Sequence, residues 1–252
     1  MKKLIYRQDL FGKTAIGITN GFLSLLETDN ATVDILVEQH HYSHKATQNR
    51  FKSFLVNENM GFLQLGYGIR PHIKHTISKL ITTTNYCEFD RMWLSDDLPK
   101  NSETQVISLL LTYLKLTCPH IHFVITYADG SVGNKGTIYR ASNAIPLGSI
   151  AVDFYLLPNG ERIHPVTMWH RHKTRAWPAM KQLYPGIRHI TEERQYRFLY
   201  ILNNKMLKQF WRGSSVKRDT PSDQLGKTGA VPVTRLCSDS LLAIAAARAL
   251  WA

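Results

Sequence analysis

A mixed central sheet flanked by helices is the α/β fold that the sequence predicts, and three observations predict it. Short β-branched and aromatic runs, such as "HFVIT" (residues 122–126) and "YRFLYIL" (196–202), have the length and composition of strands. Between such runs lies "SETQVISLLLTYLKL" (102–116), whose apolar spacing and length are those of a helix. A chain of 252 residues with 44% hydrophobic side chains is long enough to bury a sizeable core.

The elements follow in order. The first 29 residues give no clear assignment. "NATVDILVEQHHY" starts a helix from a possible cap at Asn30, with helical spacing at Val33, Leu36 and Val37. "FKSFLV" and "FLQLGYGI", joined by "NENMG", read as a β-hairpin, and "EFDRMWL" as the next strand. The long helix begins with Ser102 and Gln105 at capping-box spacing and stops at Cys118-Pro119. "HFVIT" leads to Asp129 at a strand exit. There, glycines at 130, 133 and 136 permit a tight reversal before the short helix "GTIYRASN". "SIAVDFYLL" and "RIHPVTMW" flank Pro158-Asn159-Gly160 as a second hairpin, "TRAWPAMKQLY" is a short helix at Pro178, and "YRFLYIL" is a late strand. Neither GxGxxG nor GxxxxGK[ST] occurs, which excludes dinucleotide-fold and P-loop readings. From residue 213 the chain turns polar and rich in Gly, Pro and Ser. The expected division is therefore a folded domain over 1–212 and a linker with a poorly structured tail over 213–252, ending in the helix-like "SDSLLAIAAARALWA".

The formal net charge of +12 is concentrated in one third of the chain: residues 135–218 hold 15 Lys and Arg against 4 Asp and Glu. Basic residues there alternate with Trp169, Trp177, Tyr184, Tyr196, Tyr200, Phe210 and Trp211. Cations for phosphates interleaved with flat rings for bases are the footprint of nucleic-acid binding, and Arg140, Arg171, Lys173 and Arg175 are the candidates to hold double-stranded DNA. A solvated basic face over an aromatic core would give the same composition. Three scattered cysteines, with no CxxC pair, argue against a disulfide framework and fit a reducing cytosol. "MKKLIY" is broken by Arg7, Gln8 and Asp9 before it could serve in export, and no run reaches the ~20 apolar residues of a membrane span. A soluble, cytoplasmic protein is expected.

The stretches "HHYSHK", "FDRMWLSDDLPKNSE", "YADGSVGNKGTIYRASN", "NGERIHP" and "RQYRFLYIL" resemble, in the same order, the Mom family of bacteriophage DNA-modification proteins, over residues 30–212. The resemblance implies a fold like the GNAT acyltransferases and an activity in the host cytoplasm on adenine in phage DNA. The product would be N6-acetamido (methylcarbamoyl) adenine, which protects the DNA from restriction, with acetyl-CoA or a related acyl donor as group source. It also implies functional roles for Asp129, Tyr139, Arg91, His41 and Tyr42. A donor pyrophosphate would lie at the start of the long helix, at Lys100, Asn101 and Ser102, where free N–H groups favour anions. "LSDDLPKNSE" stands where GNAT proteins have a glycine-rich loop.

Each residue also has a plain structural reading: Asp129 as a turn cap, Tyr139 as core, Arg91 as a surface arginine beside Asp90, His41 as a helix cap. A metal ion is a further expectation, for which "HHYSH" and the pair His120 and His122 offer imidazoles. The chemistry has a definite gap. Acyl transfer would attach a carbonyl carbon to N6, whereas the product implied by the resemblance has a methylene there, so attack on a thioester cannot be the whole reaction. Two other classes remain: a GNAT-type acetyltransferase for another amine, and a DNA-binding protein without enzymatic activity.

Overall fold

The structure, a computed structural model, describes residues 1–8, 14–67, 77–203, 205–206 and 209–210. The expected linker and terminal helix, and Cys237 with them, lie outside the described residues. Ten strands form one mixed sheet in the order β1-β2-β3-β4-β5-β6-β7-β10-β8-β9. The stretch with no sequence assignment supplies three of them: β1 (Lys3–Gln8), β2 (Thr14–Thr19) and β3 (Ser24–Thr28). They are short and form a meander whose buried positions, Ile18, Leu23 and Leu25, are too sparse to signal a strand period. The expected hairpin is β4 (Arg50–Val56) with β5 (Gly61–Tyr67), and β5 pairs with β6 (Tyr86–Leu94).

Helix α1 (Asn30–His40) precedes this hairpin, but Asp29 rather than Asn30 is its cap: Thr32 N donates to the Asp29 carboxylate at 2.8 Å. Asn30 instead accepts from Ser53 Oγ, as part of a polar network beneath the helix. In it, buried Gln64 accepts from Thr47 and donates to Asp34, which pairs with Arg50 at 2.8 Å. The long helix α2 (Ser102–Thr117) packs on the opposite face of the sheet, where its Val106, Ile107, Leu110 and Leu114 join Phe54, Leu63, Phe89 and Val124 in the main core. The expected capping box is not formed. Asn101 is the cap residue, in left-handed conformation, and the Ser102 hydroxyl donates to Pro99 O at 2.6 Å.

Strand β7 (Phe123–Asp129) lies parallel to β6, as a strand reached through a crossover helix must. All other pairings are antiparallel. The turn after β7 contains a short 3-10 segment (Gly130–Val132) and then α3 (Thr137–Ala141). Strand β10 (Arg188–Ile201), late in sequence, inserts between β7 and β8 (Ile145–Leu156). The second hairpin differs from expectation. Its return strand β9 is only Arg162–Ile163, and "PVTMWHRH" is helix α4 (Pro165–His172), since Pro165 suits a first helical turn and His164 caps it by accepting from Val166 N. Helix α5 (Trp177–Leu183) follows, as expected at Pro178. Tyr155, Leu157, Ile163, Met168, Met180 and Ile187 form a small core of their own there.

Candidate active site

The site forms where β6 and β7 part. Their parallel ladder runs from Tyr86↔Phe123 to Phe89↔Thr126 and then stops, although β6 continues to Leu94 and β7 to Asp129. Thr126 Oγ1 donates to Phe89 O at 3.0 Å at the last rung. Beyond it the sheet opens into a wedge.

A β-bulge decides what faces that wedge. Leu65 pairs with Phe89, but the next residue, Gln64, pairs with Arg91, leaving Asp90 as the extra residue. Cross-strand partners share a face, so Phe89 lies with Leu65 toward α2, whereas Arg91 lies with Gln64 toward α1. Without the extra residue, strand alternation would leave Arg91 on the other face. Trp93, next on the α1 face, pairs with Phe62 in the cluster that holds α1 through Val33 and Val37, and it stacks with His40 at 4.1 Å. The end of α1 therefore delivers His41 and Tyr42 beside Arg91. Tyr139 arrives from α3 on the α2 face, packed edge-on to Phe89 and tilted against Phe198.

The electrostatics tie these groups together. His41 is 6% exposed, and burial, with the nearby charges of Arg91 and His44, pushes its imidazole down to about 4. Its Nδ1 accepts from Ser43 N at 3.2 Å, and the Ser43 hydroxyl lies 2.8 Å from the same nitrogen. A backbone N–H can only donate, so the neutral ring carries its proton on Nε2. Tyr42 is 54% exposed; partial burial and the charge of Asp129 raise its phenol, against Arg91. Tyr139, 8% exposed, is raised by burial, with a hydrogen bond to Thr126 opposing, Tyr42 adding and Arg91 opposing. Asp90 is pushed up to about 7 by burial and by Glu88, against Arg91. Arg91 donates to Asp90 O at 2.9 Å, while its buried Nε finds no hydrogen-bond acceptor among the described residues. The five candidate catalytic residues are thus linked electrostatically, Arg91 to His41, Tyr42 and Tyr139, and Tyr42 to Asp129 and Tyr139, although they span positions 41 to 139.

The glycine-rich turn earns its composition at Gly136. Its φ of 74° is left-handed, and a Cβ there would collide with the ring of Phe198, the ring against which Tyr139 packs.

A family model described as the Mom protein family matches residues 23–217. This chain belongs to the Mom family. Among Mom proteins, "Methylcarbamoylase mom" of Escherichia phage Mu is 35% identical over 136 residues, which cover 53% of this chain and 56% of that protein, so the chain spans about half the length of the curated relative it matches. Among solved structures, a "probable" GNAT-family acetyltransferase from Chromobacterium violaceum covers 78% of this chain and 88% of its own, with 11% identity and a TM-score of 0.39. That is a likeness of outline, and no step of the chemistry rests on it.

The remaining candidates of this Mom-family chain, Arg140 excepted, lie apart from the cluster. Lys100, Asn101 and Ser102 border a hollow of about 390 Å³, also lined by Leu94, Asp96, Pro99 and Glu103. The lining fits a polyphosphate poorly: Asp96 and Glu103 oppose Lys100, Ser102 is buried, and its N–H and hydroxyl both bond Pro99 O. Arg140 is exposed beside the cluster, with its guanidinium 5.5 Å from the Phe198 ring centroid. Arg171, Lys173 and Arg175 are exposed together on α4 and the loop after it. Among the described residues no group of three His, Cys, Asp or Glu side chains converges as a metal site, and no helix is long and apolar enough to cross a membrane.

Sequence reasoning missed Asp90, Ser43 and Thr126. A carboxylate directly before Arg91, a hydroxyl two residues after a histidine and a lone threonine in an apolar strand are each unremarkable without the fold.

Proposed function

We propose that this chain modifies the exocyclic amine of adenine in DNA, converting it to the N6-methylcarbamoyl form and thereby shielding the DNA from restriction. Family membership supports the reading. The observation that carries it is the convergence of His41, Tyr42, Arg91, Asp129 and Tyr139 at the opening between β6 and β7, from both faces of the sheet.

The protonation states divide the roles. His41 has its Nδ1 occupied and is neutral, so it offers Nε2–H as a donor. Tyr42 and Tyr139, both raised, remain phenols and also donate. This leaves the Asp129 carboxylate to take the proton from N6 of an adenine drawn out of the duplex, a step needed because the N6 lone pair is delocalised into the ring. Arg91 supplies fixed positive charge for the negative charge that develops. In the transfer, an N6–carbon bond forms, an N6–H bond breaks toward Asp129, and the donor's bond from that carbon to its leaving group breaks with its electron pair. Acetyl-CoA would deliver its carbonyl carbon and has no leaving group on its methyl carbon. The donor in this proposal is therefore a related compound that carries a leaving group on the carbon next to a carboxamide, and no step is routed through acetyl-CoA.

The test is mass spectrometry of nucleosides from the DNA of cells making the soluble protein. A heavier deoxyadenosine, with resistance to enzymes that cut at adenine-containing sites, is expected. Unmodified nucleosides with retained duplex binding would leave a DNA-binding protein as the better reading.

A further inference from the structure

The β8–β10 hairpin overshoots the sheet. Strand β7 ends at Asp129, opposite Gln195, but β10 extends seven residues further to Arg188, where it pairs with Leu156. At the usual strand rise this overhang is ~23 Å. None of residues 148–154 on β8 is buried, so the overhang is a two-stranded neck between the main core and the small core around Met168 and Met180. It points past the end of β7 that carries Asp129.

The tip is strongly basic. Residues 157–190 contain six Lys and Arg and four His against one carboxylate, Glu161, which is shared with Arg171 in an exposed pair at 3.4 Å. The segments that carry these cations are tied to the small core. Tyr155 donates from its hydroxyl to Arg175 O at 2.8 Å and stacks parallel to Trp177, whose ring lies under Lys181; Lys173 caps α4 in left-handed conformation. Trp169 is half-exposed on the same helix. A charge field of this sign, displaced from the reacting groups, fits the phosphates of a polyanion.

Resting on the reading of the cluster as a DNA-modifying site, we propose that this tip grips duplex phosphates about seven base pairs from the target adenine, since ~23 Å corresponds to that number at 3.4 Å per step. The tip then secures the duplex while the cluster holds the extracted base. Neither element could do both, because the small core and the wedge lie at opposite ends of the neck.

The experiment measures binding of the full chain to two duplexes with one central adenine, the first with four flanking base pairs on each side and the second with twelve. The native protein should bind the longer duplex at least tenfold more tightly. In Lys173→Gln/Arg175→Gln that ratio should fall to near one, with a shallower salt slope on the longer duplex only. Circular dichroism and melting check the variant's fold, and Arg171→Gln/Lys181→Gln gives a second variant should the first not fold. An unchanged ratio in folded variants, or equal weakening on both duplexes, would overturn the grip while leaving the modification reading intact. Absence of duplex binding by the native protein at low salt would overturn both.

Discussion

At the residue scale, the assignment of roles depends on which groups hold protons. Asp129→Asn keeps shape and loses charge, and Tyr139→Phe loses one hydroxyl. Each should change stability by about 1 kcal/mol and lower adenine modification by roughly a hundredfold. Melting temperature and modified-base content, measured together, check this. Loss of modification that only follows unfolding would return both residues to scaffolding. For His41 the donor role is more specific. His41→Gln places an N–H near the former Nε2 and should retain more activity than His41→Asn, whose amide reaches only the Nδ1 position next to Ser43. Equal activities in the two variants would argue against a donating Nε2–H. The sequence pattern pointed to His41, Tyr42, Arg91, Asp129 and Tyr139 because their types and order resemble a family. It could not point to Ser43, whose hydroxyl and backbone N–H both meet Nδ1 of His41 only once the chain turns after α1.

At the element scale, the bulge in β6 is what brings Arg91 to α1. Gly66 makes room for it, since a Cβ there would meet the Asp90 carboxylate and the Asn49 carbonyl. Gly66→Ala should therefore reduce modification by disturbing Arg91, whereas Gly136→Ala should reduce stability by about 2 kcal/mol or more, through a left-handed φ and a clash with Phe198. Thermal melts together with modified-base content, measured for both variants, separate the two effects.

The same bulge has a pH signature. His41 is lowered from 6.5 to about 4, so its contribution is present above pH 6.5 and is lost as pH falls through 4. Asp90 is raised from 3.8 to about 7, so its contribution is present below pH 3.8 and is lost as pH rises through 7. The slopes oppose each other. Asp90→Asn removes the second, and the melting temperature of the variant relative to the native protein should rise from pH 5 to pH 8. Parallel curves would contradict the raised Asp90. Such a bulge is not legible beforehand: "EFDRMWL" identifies a strand, but the extra residue exists only in relation to β5. The second hairpin was misread for a related reason, because "RIHPVTMW" has the β-branched content of a strand while Pro165 and the His164 cap favour a helix.

At the scale of the whole molecule, cores of unequal size share one sheet. The main core runs through β2 to β7 and α2, whereas the tip rests on six buried residues. Local opening follows buried apolar contact, so amides over 158–187 should exchange faster than those of β4 to β7, and duplex DNA should slow the tip selectively. Hydrogen exchange with and without a duplex measures this, and uniform protection would contradict it. The sequence made the basic third legible as a DNA surface candidate, since charge can be counted. It did not separate Arg140, beside the cluster, from Arg171, Lys173 and Arg175 on the tip, because that division is made by the length of β8 and β10.

The place of β10 in the sheet also orders events during synthesis. Strand β7 is interior only because residues 195–201 pair along it, and these leave the ribosome some seventy residues later. Until then a nascent chain exposes an edge of Phe123, Val124 and Ile125 with unsatisfied backbone groups, the kind of surface that recruits other strands. Chains released before β10 should accumulate as insoluble protein or on chaperones. The wedge that holds Asp129 is therefore not complete on the ribosome before the last described strand has emerged.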